Sequence, residues 1–77
     1  MKNILKLHEA IAVVLLSTPK RTATFELIAK EINKRGLYFR KDGEPLPAYQ
    51  VMMRSKLSKG RHAYLFQYLQ NDKIKLV

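Results

Sequence analysis

The chain has 77 residues, enough for one small domain, and contains no cysteine, which excludes disulfides and thiolate metal sites. Its 15 lysine and arginine residues face only 6 aspartate and glutamate residues, so the formal net charge is +9. A charge of this sign and size on a small domain favours a polyanionic partner: nucleic acid, an anionic membrane surface or an acidic protein segment.

The apolar runs argue against a membrane segment or a signal peptide. The longest run, Ala10 to Leu16, is far shorter than the roughly 20 residues that span a bilayer. Lys6, His8 and Glu9 interrupt the hydrophobic stretch that a signal peptide would need. We therefore expect one domain over residues 1–77 in a cytoplasmic protein, associated with the nucleoid if the source is bacterial.

The first predicted element is a helix in which apolar residues recur at helical spacing from Ile4 to Leu16. Asn3 is the candidate N-cap. Three further apolar residues widen the stripe: Ala12, Val13 and Leu16. We expect the C-terminal part of this helix to be covered on most sides by the rest of the domain. Pro19 favours an end to this helix just before it, because the residue that precedes a proline disfavours helical backbone angles.

The second predicted helix starts near Thr24, a good N-cap residue, and runs through Ile28 and Ile32. Gly36 is the expected left-handed residue that ends it. The residues just before it, Arg21–Ala23, can form a short strand. A polar turn with an Asp-Gly pair follows further along the chain.

The third predicted helix extends over about Leu46–Ser58, with Pro47 at its first position. Two faces of this helix can be buried. One is an apolar stripe made of Leu46, Tyr49, Met53 and Leu57. The other centres on Val51 and Ser55, and apolar spacing alone does not choose between them.

The C-terminal part of the chain predicts a β-hairpin with its turn at Gln70–Asp72. A three-residue loop there pairs Tyr68 with Ile74 and places Phe66 opposite Leu76, so apolar side chains share one face. A two-residue loop would bury a glutamine instead. We therefore prefer the three-residue loop.

The predicted order is helix, short strand, helix, helix and hairpin. We expect an α+β fold of the winged helix-turn-helix class, with three helices followed by a C-terminal β-hairpin wing. In such folds the third helix enters the major groove of DNA. The segment between Lys34 and Arg61 holds eight cations against Asp42 and Glu44, a net +6 of the total +9. This charge favours nucleic-acid binding by the third helix and the wing.

The third helix and its surroundings supply the candidate DNA contacts. Gln50 and Arg54 lie one turn apart and have side chains suited to adenine and guanine edges, respectively. We favour an arrangement in which Val51 and Leu57 are buried and this pair lies at the rim of the buried face. Alternatively, Arg54 pairs with a carboxylate of the second helix. The candidate DNA-binding residues are Arg40, Lys41, Tyr49, Gln50, Arg54, Lys56, Lys59 and Arg61. The last three are candidates for phosphate contacts, which position a protein without reading sequence.

Several of these stretches resemble HARE-type helix-turn-helix domains. In the first half the resemblance rests on Leu7–Ile11, Thr24–Ile28 and Arg35–Tyr38, and in the second half on Gln50-Val51-x-x-Arg54, Leu65-Phe66 and Lys73–Leu76. Relatives often carry an aliphatic residue just after the arginine, where this chain has Ser55. The family is a winged helix of restriction endonucleases, bacterial RNA polymerase delta subunits and eukaryotic chromatin proteins. The resemblance implies binding to DNA, or coupling of another activity to it.

Catalytic motifs are missing from the sequence. The two histidines, His8 and His62, are each isolated, and we expect His8 to be a packed residue. No phosphate-binding loop or nucleophile motif occurs. We predict no catalytic residue, metal or cofactor. Among the aromatic residues, Phe39 and Phe66 are expected in the core, whereas Tyr49 and Tyr64 are candidates for exposure.

The predicted function is therefore duplex DNA binding, as the targeting arm of a transcription or restriction-type protein and not as an enzyme. The alternative is a protein-interaction module that docks on an acidic partner, such as an RNA polymerase subunit. The sequence predicts neither a preferred DNA sequence nor an oligomeric state.

Overall fold

Three α-helices and three β-strands make up residues 5–55 and 65–77, the part of the chain that the structure, a computed structural model, describes. In chain order they are α1 (Leu7–Leu16), β1 (Thr22–Thr24), α2 (Phe25–Arg35), α3 (Ala48–Ser55), β2 (Phe66–Leu69) and β3 (Lys73–Leu76). The α+β class is confirmed. The arrangement of elements is compatible with a winged helix.

The strands form one antiparallel sheet in the order β1-β3-β2. Tyr68 pairs with Ile74 and Phe66 pairs with Leu76, so the predicted hairpin register is confirmed. The predicted short strand exists, and its residue Ala23 pairs with Ile74 on the other side of β3. The central strand β3 therefore pairs with β2, its partner in the hairpin, on one side and with β1, which leads into α2, on the other.

The core lies between the helices and one face of the sheet. Its fully buried larger side chains come from α1, α2, α3 and β3: Ile11, Val14, Leu15, Ile28, Ile32, Val51 and Ile74. The apolar stripe predicted for the second helix is confirmed, and so is that of the first helix at Leu7, Ile11, Val14 and Leu15. A core of this size leaves little stability in reserve, because a small domain buries a smaller fraction of its surface than a large one.

The start and end of α1 differ from the prediction. The helix begins at Leu7 after the extended residue Lys6, so Asn3 is not its N-cap. The Glu9 carboxylate instead accepts a hydrogen bond of 2.8 Å from the backbone N–H of Lys6. Leu16 is 62% exposed, contrary to the expected cover, because it lies roughly 140° around the helix axis from the buried Ile11.

The ends of α2 follow the predicted signals. The Thr24 hydroxyl accepts a hydrogen bond of 3.1 Å from the Leu27 backbone N–H, which satisfies one of the free donors of the first turn. Gly36 ends the helix with a left-handed φ of 65°. Within the residues that the structure describes, no helix combines the length and the apolar character that a membrane span requires.

Candidate nucleic-acid interface

The side chain of Asn33 fixes the entry to α3. Its amide nitrogen donates to the Leu46 carbonyl at 3.0 Å, and its amide oxygen accepts from the Leu46 backbone N–H at 2.9 Å. Both bonds run from α2 to the segment just before α3, and Leu46 is itself buried. This contact is not predicted from the sequence. Its only signal was a polar residue one position after the buried Ile32, and that does not identify a partner 13 residues away.

The buried face of α3 is the one that contains Val51 and Ser55. The Ser55 hydroxyl donates to the Val51 carbonyl at 2.7 Å, so this buried polar group is satisfied within the helix. The alternative apolar stripe is wrong, because Tyr49 is 55% and Met53 is 52% exposed. That stripe counted helical turns from Leu46, whereas the helix begins only at Ala48, after Pro47.

The remaining sides of α3 carry four residues that we call the α3 outer face: Tyr49, Gln50, Met53 and Arg54. Gln50 is half-buried and Arg54 is exposed, so the rim position favoured for this pair is confirmed. Leu57, the expected partner of Val51, lies outside the described residues. So does the predicted end of the helix at Ser58.

Arg54 does not pair with the carboxylates of α2. The Glu31 carboxylate instead binds Arg35 on the same helix, at 3.0 Å. Neither this ion pair nor the other one between described residues involves Arg54. The sequence-based alternative, in which Arg54 is neutralised by the second helix, is therefore not observed. The guanidinium group is available to an anionic ligand.

The two predicted cations of the polar turn before α3, Arg40 and Lys41, have different environments. Arg40 forms an ion pair with Asp42 at 2.8 Å, so much of its charge is compensated locally. The second oxygen of the Asp42 carboxylate accepts a hydrogen bond from the Glu44 backbone N–H at 3.0 Å, which stabilises the turn. Lys41 is exposed on the same turn. Of this predicted pair, Lys41 is thus the better candidate for a phosphate contact.

A cleft of about 320 Å³ separates the start of α3 from the hairpin turn and the start of α2. Tyr49 and Met52 line it from α3, and Glu26 and Asp72 contribute carboxylates from the other side. These two acidic groups disfavour a phosphate inside the cleft. A polyanion is therefore expected to approach α3 from the side that carries Arg54.

The aromatic residues follow the prediction in part. Phe66 is buried and Tyr49 is exposed, as expected, but Phe39 is 47% exposed and does not belong to the core. A Cβ atom built on Gly36 lies 3.3 Å from Cζ of Phe39, so the ring covers the end of α2 instead. The ring of Tyr68 stacks on Phe25, with centroids 6.2 Å apart.

Some predicted site residues fall outside the described part of the chain. They are Lys56, Lys59 and Arg61, together with His62 and Tyr64. Among the residues that are described, His8 is half-buried on α1, and no group of three or more histidine, aspartate or glutamate side chains is arranged to hold a metal ion.

Comparison with known proteins gives no further assignment. No protein-family model matches the chain, and no significant match is found among the curated proteins or the solved structures. The resemblance to HARE-type domains therefore stays a prediction.

Proposed function

We propose that this chain is a winged helix-turn-helix module, with the β2–β3 hairpin as its wing, and that it binds duplex DNA through α3 as the recognition helix. The observation that carries the proposal is the orientation of α3. Val51 and Ser55 hold one side in the core, and Arg54 is exposed at the edge of that side without an acidic partner among the described residues. The net charge of +9 supports a polyanionic ligand.

Phosphate contacts dominate the proposed binding mode. Arg54 on α3 and Lys41 on the preceding turn are exposed cations outside the two ion pairs of the described residues, and they supply phosphate contacts. Gln50, one helical turn before Arg54, supplies a contact to a base edge. The resemblance to HARE-type domains supports the same role, as the targeting arm of a transcription or restriction-type protein. Because such contacts read little sequence, we expect the isolated domain to bind DNA with weak sequence preference.

The test is a fluorescence anisotropy titration of a labelled duplex at two salt concentrations. We expect affinity to fall steeply as salt rises, because each neutralised phosphate releases counterions. Arg54→Ala should leave the fold intact and weaken binding about tenfold, equivalent to about 1.4 kcal/mol. Lys30→Ala, which removes one exposed cation from α2, is the control and should have a smaller effect.

Two results would contradict the proposal. One is the absence of duplex binding by the wild-type protein even at low salt. The other is an Arg54→Ala variant that binds as tightly as the wild type, since α3 would then contribute no cationic contact.

A second candidate function is docking on an acidic protein segment. It is favoured by the exposure of Tyr49 and Met53 beside Arg54, because aromatic residues, methionine and arginine are enriched at protein interfaces. Salt sensitivity does not separate the two functions, since both use the same charge. Competition does: DNA binding predicts that duplex DNA displaces a polyglutamate peptide, whereas docking predicts that the peptide binds more tightly than the duplex.

A further inference from the structure

The side of the sheet that faces away from the core is strongly basic. Along β3, Ile74 and Leu76 point into the core, so Lys73 and Lys75 point to the opposite side. Each lysine lies between two strands, and Lys75 is flanked by Thr22 and by Gln67. We call this side the outer sheet face.

A groove of about 650 Å³ runs over the outer sheet face. Lys20, Lys73 and Lys75 line it, together with neutral residues of the three strands and of α2. Among the described residues that line this groove, none is acidic, and neither ion pair of the described chain involves these lysines. Three cations therefore share one concave surface without local compensation.

The turn before β1 places Lys20 at the edge of this groove. Lys20 and Arg21 both have left-handed φ angles, of 55° and 52°, which side chains of this type rarely adopt. The turn is held by two hydrogen bonds: the Arg21 N–H donates to the Thr18 carbonyl, and the Thr22 hydroxyl donates to the Lys20 carbonyl. A conformation that is unfavourable for these residues is thus maintained where it adds a cation to the groove.

We propose that the outer sheet face binds the sugar–phosphate backbone of a second segment of nucleic acid. Lys73 and Lys75 are two residues apart on a strand, roughly 7 Å, which is comparable to the separation of successive phosphates along a nucleic-acid strand. Gln67 adds a neutral hydrogen-bond donor beside Lys75. Such a surface binds phosphates without reading bases.

The segment bound here is a second one because the two surfaces lie on different sides of the core. α3 packs against α1 and α2, whereas β3 packs against its neighbouring strands and α1, so the α3 outer face and the outer sheet face belong to different layers of the domain. The inference rests on the proposed function, which assigns the first segment to α3. Together, the two surfaces would let one domain bridge two duplexes.

The test is a capture assay with two duplexes. One duplex is fixed to beads, and the protein is added at low salt with a fluorescent second duplex. We expect the wild type to capture the second duplex and Lys73→Gln/Lys75→Gln to capture about tenfold less, because two phosphate contacts are lost. The control Lys6→Gln/Lys30→Gln removes the same charge from exposed positions elsewhere and should capture like the wild type. Affinity for a single duplex is measured in parallel by anisotropy.

The outcomes separate this inference from the proposed function. A wild-type protein that binds one duplex but captures no second one, or a sheet variant that captures as well as the wild type, contradicts the inference alone. Equal loss in both double variants also contradicts it, because general charge would then explain the capture. If the sheet variant instead loses binding to phosphatidylserine vesicles while its capture of DNA persists, the face binds membrane and the inference is wrong. A wild type that binds no duplex contradicts both proposals.

Discussion

Val51 and Met53 are two residues apart on α3 and have opposite environments. Val51 is fully buried, whereas Met53 is 52% exposed. Val51→Asp should unfold the domain, since an unpaired charge in the core costs more than the few kcal/mol of stability a small domain has. Met53→Asp introduces the same charge and should remain folded. Circular dichroism and urea denaturation of both variants check this, and a folded Val51→Asp variant would mean that α3 is turned the other way.

Ser55 explains why the buried face of α3 is hard to predict from sequence. A serine counts as polar in any hydrophobic pattern, yet here its hydroxyl is buried and donates to the Val51 carbonyl. Ser55→Ala removes the hydroxyl and leaves that carbonyl in its helical position. We expect the free energy of unfolding to change by no more than about 1 kcal/mol. A loss of several kcal/mol in urea denaturation would show that the hydroxyl has another partner.

At the scale of elements, local signals were predictable and non-local ones were not. The Thr24 and Gly36 ends of α2 and the alternation in the hairpin act within a few residues, and the structure confirms them. The start of α3 depends on the contact between Asn33 and Leu46, two residues that are far apart in sequence. No hydrophobic periodicity or capping motif encodes such a contact. The sequence therefore predicts that the helix starts at about Leu46, before its observed start at Ala48. For the same reason, apolar spacing alone does not choose between the two possible buried faces of α3.

The contact between Asn33 and Leu46 gives a prediction about the position of α3. Asn33→Ala leaves the N–H and carbonyl groups of the buried Leu46 without their partner, so we expect a loss of about 1–3 kcal/mol in the free energy of unfolding. Lys34→Ala changes the next residue of α2, which is exposed, and should change stability by less than about 0.5 kcal/mol. Urea denaturation of the two variants provides the comparison. Equal stability would mean that Asn33 does not hold α3.

At the scale of the whole molecule, the net charge of +9 acts on stability as well as on binding. Like charges repel one another in the folded state, and the two ion pairs among the described residues offset only a small part of this repulsion. Added sodium chloride screens the repulsion. We therefore expect the midpoint of thermal unfolding to rise between low and moderate salt. Calorimetry measures it directly, and a fall in the midpoint would contradict this view of the charge.

The most direct test of the central claim, that the α3 outer face binds DNA, is a titration of ¹⁵N-labelled protein with a short duplex at low salt. We expect the largest amide shift changes at Tyr49, Gln50, Met53 and Arg54. Amides on the solvent side of α1, such as that of Val13, should change little. If the amides of α3 do not move while the duplex binds elsewhere on the domain, the central claim is wrong.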